Sequence, residues 1–143
     1  MSQWSSIQGL FVQANKFSGP LNEVFNASVQ QALVQVDVSE NAFSGPIPVE
    51  PFKTANFSAF FATINCLYGT LPLEICSATK LTQLVLDGLT TAKQCQLPLF
   101  PTFKTIKSYS LTGKHIDGQI PRCLYSMPKL VNNALCIFFF VLA

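Results

Sequence analysis

Asn15-Lys-Phe-Ser-Gly-Pro-Leu21 and Asn41-Ala-Phe-Ser-Gly-Pro-Ile47 agree at five of seven positions and lie 26 residues apart. The agreement continues upstream, where apolar residues stand eight, five and three positions before each Asn: Ile7, Leu10 and Val12, then Leu33, Val36 and Val38. A third copy follows in Phe57, Phe60, Ala62, Asn65, Leu67, Gly69, Leu71 and Pro72. A fourth begins with Leu81, Leu84 and Leu86, and a fifth with Ile106, Tyr109, Leu111, Ile116, Gly118, Ile120 and Pro121. Equivalent positions at 15, 41, 65, 89 and 114 are spaced 26, 24, 24 and 25. A period of this length, carrying a short alternating apolar segment and an Asn, is the signature of a leucine-rich repeat.

Each part of the unit has a physical task. The alternating triplet is a short strand whose every second side chain points inward. The Asn amide has both donors and acceptors, so it satisfies backbone groups where the chain turns away from the strand. Gly19, Gly45, Gly69 and Gly118 follow four residues later, where a tight bend is expected. Pro48, Pro72 and Pro121 then end the pairing segment, because proline has no N–H to donate. A single coil cannot bury its apolar face, so the coils must stack. The expected fold is a repeat solenoid of about five coils, with a parallel concave β-sheet and a convex side of irregular chain, turns or short 3-10 helix. The coils start near residues 7, 33, 57, 81 and 106, so the array covers 7–130, between an N-terminal extension (1–6) and a degenerate apolar tail (131–143).

The segment Asn-x-Phe-Ser-Gly-Pro-Ile-Pro and its relatives Gly-Thr-Leu-Pro and Gly-Gln-Ile-Pro closely resemble the plant-type leucine-rich-repeat family. That family includes ectodomains of receptor-like kinases and secreted inhibitors of cell-wall-degrading enzymes. The resemblance implies a right-handed solenoid, a second short strand at the Gly-x-Ile-Pro element, and ligands that meet the concave and lateral faces. It also implies an extracellular or membrane-associated location. The paired cysteines of the family's N-terminal cap do not precede Ile7, so the chain reads as a fragment of a longer array. Departures from the pattern are Leu89, Thr91 and Lys93 in the fourth copy, Lys114 in the fifth, and Asn132 and Asn133 where a sixth would begin.

The 143 residues are 49% apolar and 11% charged, which excludes intrinsic disorder. Net charge is +2, too weak a field to call for nucleic acid. It divides into −3 over residues 1–79 and +5 over 80–143. Met1 to Gly9 has neither the basic nor the apolar region of a secretory signal. The apolar run Ala134 to Ala143 would reach roughly 15 Å as a helix, half of a hydrocarbon core. A membrane contact therefore requires that this tail be part of a longer span.

No catalytic, cofactor or metal set emerges. His115 has Lys114 and Asp117 beside it but no nucleophile and no oxyanion site, so no enzyme is expected. Cys66, Cys76, Cys95, Cys123 and Cys136 contain no C-x-x-C pair and have one His to join them, which is unsuited to zinc. Bridged Cα atoms must lie within roughly 7 Å, so a disulfide needs similar positions in adjacent coils. Cys76 and Cys123 hold similar positions two coils apart, and the others differ in position. The expectation is no disulfide. Asn26 and Asn56 begin glycosylation sequons.

The expected function is a non-catalytic recognition module that binds a protein or peptide on the concave face. The alternatives are a fragment of a membrane-anchored receptor ectodomain or of an inhibitor, and a degenerate array with no ligand. Residues between the inward positions project from the concave sheet: Phe11, Asp37, Phe61, Val85 and Ser110 in one column, Gln13, Ser39, Thr63, Asp87 and Thr112 in the next, with Gln35 beside them. Asn15, Asn41 and Asn65 form the structural ladder.

Overall fold

A computed structural model describes residues 4–86, 92, 95 and 121–127. The alternating triplets become the strands of one parallel sheet. Strands β1 (Gly9–Phe11), β3 (Gln35–Asp37), β5 (Ala59–Phe61) and β7 (Gln83–Val85) lie in the order β1-β3-β5-β7. The Gly-Pro segments make a second parallel sheet from β2 (Ser18–Pro20), β4 (Ala42–Pro46) and β6 (Cys66–Tyr68). Short 3-10 turns at Leu21–Glu23, Glu50–Lys53, Leu73–Ser77 and Arg122–Tyr125 form the convex side. This is a repeat solenoid: the chain climbs one strand spacing per coil, and neighbours in the sheet are successive copies of one sequence unit.

The register follows the repeat. Leu10, Val36, Phe60 and Leu84 stand opposite one another across four strands. Val36, Phe60 and Leu84 are fully buried, while Leu10 of the first coil is half-buried. Around them pack Leu33, Val38, Phe57, Ala62, Leu81 and Leu86, all buried. The convex side contributes Phe52, which meets Phe57 edge-on at 5.5 Å between ring centres and Phe60 at 5.4 Å. Fully burying such a ring stabilises by about 1.5–3 kcal/mol, so this trio anchors the middle of the core.

Between strand and Gly-Pro segment, the chain turns on an unexpected device. Ala14, Glu40 and Ile64, each immediately before a ladder Asn, adopt left-handed backbone with φ of 56°, 54° and 50°. That conformation costs an ordinary residue roughly 1–2 kcal/mol. It swings the following Asn side chain under the strand. Asn65 Nδ2 donates to the carbonyls of Val38, Ala62 and Thr63 at 2.9, 3.3 and 3.2 Å, and its Oδ1 accepts the Phe43 N–H at 3.1 Å. Asn41 repeats this one coil earlier, donating to Val12, Val38 and Ser39 and accepting from the Phe17 N–H. Both are buried. Asn15 donates to Val12 and Gln13 but stays exposed.

The expectation of no disulfide is corrected. Cys66 is bonded to Cys95 and Cys76 to Cys123, with Cα atoms 5.2 and 5.6 Å apart. Two assumptions of the sequence reading fail. Cys66 and Cys95 are 29 residues apart, five more than the 24-residue coil step that joins β5 to β7. Cys95 thus lies beside β6, where the Ala92 N–H donates to the Asn65 carbonyl at 3.2 Å and the Cys95 disulfide sulfur lies 3.0 Å from the same oxygen. Cys76 and Cys123 are 47 residues apart, yet the Arg122–Tyr125 turn packs directly on Leu73–Ser77. Counting coils placed a further unit between them. Leu89, Thr91, Lys93, Lys114, His115 and the 131–143 tail lie outside the described residues.

Candidate functional site

The first sheet turns one face to the core and presents the other along three columns. Gly9, Gln35, Ala59 and Gln83 are in register, as are Phe11, Asp37, Phe61 and Val85. Gln13, Ser39 and Thr63 follow two residues further along their strands. Parallel pairing sets neighbours in a column about 4.8 Å apart, so each column is a row of adjoining side chains.

Phe11 is 58% exposed, an unusual state for a phenylalanine on a strand. Its ring lies across Gly9, so closely that a Cβ at that glycine would collide with it. Gly9 therefore lets the ring lie down along the sheet. Phe61 and Val85 are half-buried in the same row. Between the two phenylalanines stands Asp37, whose Oδ1 accepts the Ser39 N–H at 3.0 Å. Asp37 is the one charged side chain among the described residues of the three columns. The ion pair among the described residues is Lys53 with Glu50, on the convex side.

The expected site residues separate into groups. Phe11, Gln13 and Gln35 are exposed, and Asp37, Phe61, Thr63 and Val85 are half-buried on the concave face. Ser39 is corrected: it is buried, and its Oγ accepts the Thr63 N–H at 3.2 Å, so it serves the fold. Asp87, Ser110 and Thr112 lie outside the described residues. Gln83, absent from the expected set, shares the column of Gln35, and the same 24-residue step that links Ala59 to it would have found it. Asn26 and Asn56 are exposed; the Asn26 carboxamide accepts the Ser28 N–H, and Asn56 Oδ1 accepts from Lys80 Nζ at 2.6 Å.

The convex side carries its own electrostatics. Glu50 Oε2 accepts the Ala27 N–H at 3.0 Å across one coil, and Oε1 pairs with Lys53. The Lys53 hydrogen bond, and then the Ala27 N–H, hold the Glu50 carboxyl below its ordinary pKa. The Glu50 hydrogen bond raises that of Lys53. No helix among the described residues is long and apolar enough to cross a membrane.

No family model matches the sequence, and no curated protein does. Solved structures do. The BIR2 ectodomain from Arabidopsis thaliana is similar with a TM-score of 0.54 and 24% identity, over 59% of this chain and 43% of that one. The structure of PEPR1-AtPEP1 is similar with a TM-score of 0.53 and 24% identity, over 58% of this chain and 11% of that one. The chain thus spans less than half the length of either. Its stacked coils, asparagine ladder and second strand per coil give it the leucine-rich-repeat fold of the plant receptor ectodomains that it resembles.

Proposed function

We propose that the chain is a non-catalytic recognition module that takes a protein or peptide on its concave face. The observation that carries this reading is the row Phe11, Asp37, Phe61 and Val85, in which three of four paired strands turn an apolar side chain to the outer face and the fourth a carboxylate. Isolated exposed apolar residues are ordinary, but aligned ones with a polar group among them form the kind of patch that marks an interaction site. Aromatic residues at the centre of such a patch carry a large share of binding energy. The two disulfides support an extracellular setting, because such bonds persist in oxidising compartments. The fold it shares with the BIR2 ectodomain and with PEPR1-AtPEP1 favours a receptor-type module.

The test is selection from a random twelve-residue peptide library on the immobilised, oxidised protein. Peptides that bind the wild type and are lost on the Phe11→Ser and Phe61→Ser double variant support the reading, provided that the variant keeps a cooperative melt. Failure to select any peptide, or selection of peptides that bind the variant equally well, overturns it.

A further inference from the structure

The concave row contains a carboxylate set between two aromatic side chains, with no cation to pair with it among the described residues. Asp37 uses Oδ1 for the Ser39 N–H and keeps its other oxygen free of any described protein donor. Phe11 is exposed to solvent, and one edge of its ring leans against Gly9. Its neighbours in the adjoining columns, Gln13, Gln35 and Thr63, are neutral. Exposed Glu40, at the bend that follows β3, adds negative charge on the same coil.

A cation is attracted to the face of an aromatic ring within about 6 Å of its centre, and to a carboxylate by charge and hydrogen bonding. A guanidinium satisfies both at once, since it stacks as a plane and donates as a fork. Strand spacing of about 4.8 Å brings both phenylalanines within reach of a group held by Asp37. We infer that Phe11, Asp37 and Phe61 form a subsite for a cationic side chain, arginine best and lysine next, of an extended peptide lying across the strands. The subsite rests on the concave-face reading above and gives it a chemical class. Gly9 is its positioning residue, since a side chain there displaces the Phe11 ring.

The closing experiment uses the peptides selected on the oxidised wild-type protein, each paired with a copy in which its arginine is replaced by citrulline, a neutral shape-mimic, or its lysine by glutamine. The expected result is that most concave-face binders carry a cationic residue, and that the replacement weakens binding at least tenfold to the wild type but less than twofold to Asp37→Asn. Gly9→Ala, which leaves Asp37 in place, should weaken the cationic peptides several-fold. Binders that are lost on the Phe11 and Phe61 double variant but tolerate the neutral replacement refute the subsite and leave the concave-face reading intact. Binders indifferent to the double variant refute both. Should Asp37→Asn fail to melt cooperatively, Asp37→Ser, which keeps a short polar acceptor near Ser39, takes its place with the same two outcomes.

Discussion

Asn65 reaches back across a coil to the Val38 carbonyl at 2.9 Å. With its oxygen it accepts the N–H of Phe43, so one amide bonds backbone groups of two neighbouring coils. Removing a partner of a buried donor or acceptor costs about 1–3 kcal/mol. Asn65→Ala and Asn41→Ala should each destabilise by that amount in a denaturant melt. Asn15→Ala, at an exposed copy of the same motif, should change the midpoint by less than half as much. Equal losses at all three positions would show that the inter-coil bonds contribute nothing beyond those within each coil.

Ile64 is the costliest of the three left-handed residues, because it is branched at Cβ and 43% exposed. Asparagine tolerates that backbone far better. Ile64→Asn should therefore stabilise by about 0.5–1 kcal/mol, after allowing for the partly buried side chain lost. Ile64→Val should leave stability nearly unchanged, since the strain remains. Differential scanning calorimetry on the pair distinguishes relief of backbone strain from a general effect of removing an exposed apolar group.

The cross-links interleave, since the 66–95 loop and the 76–123 loop overlap. On chain-entropy grounds, closing loops of 29 and 47 residues stabilises by roughly 3.5 and 4 kcal/mol when each acts alone. Reduction should lower the melting temperature substantially. Cys76→Ser with Cys123→Ser should loosen the later coils more than the earlier ones. Hydrogen exchange checks this: amides of β5 and β7 should lose protection before those of β1 and β3 do.

Glu50 has its pKa depressed by Lys53 and by the Ala27 N–H. A depressed carboxyl contributes stability that is present above the ordinary Glu value of 4.5 and is lost as pH falls through the folded value. The pair is surface-exposed, so the effect should stay below about 1 kcal/mol. Urea melts from pH 7 down to pH 3 should show Glu50→Gln losing less stability on acidification than wild type. Parallel curves would assign the acid response to other carboxylates.

The strands, the inward triplets and the ladder asparagines were legible because each repeats a chemical necessity at a fixed interval. Val36, Phe60 and Leu84 must be apolar to be buried, and Asn41 and Asn65 must carry an amide to close the bend. The left-handed turn was not legible, since Ala14, Glu40 and Ile64 share no composition, and the Asn that follows holds the conformation. The disulfides were hidden for a different reason. Their proximity depends on the 29-residue step from Cys66 to Cys95 and on which turn packs against Leu73–Ser77, and a count of periods contains neither. On the concave face, the phenylalanine row was legible from spacing, but the burial of Ser39 followed from its bond to Thr63, which spacing does not contain.

The ladder also gives the molecule a direction. Asn41 leans on Val12 and Phe17, and Asn65 leans on Val38 and Phe43, so each coil borrows from the one synthesised before it. A ribosome releases the chain in that same order. Every newly emerged asparagine thus finds its acceptor and donor already in place, and assembly can advance like a zipper that engages from one end.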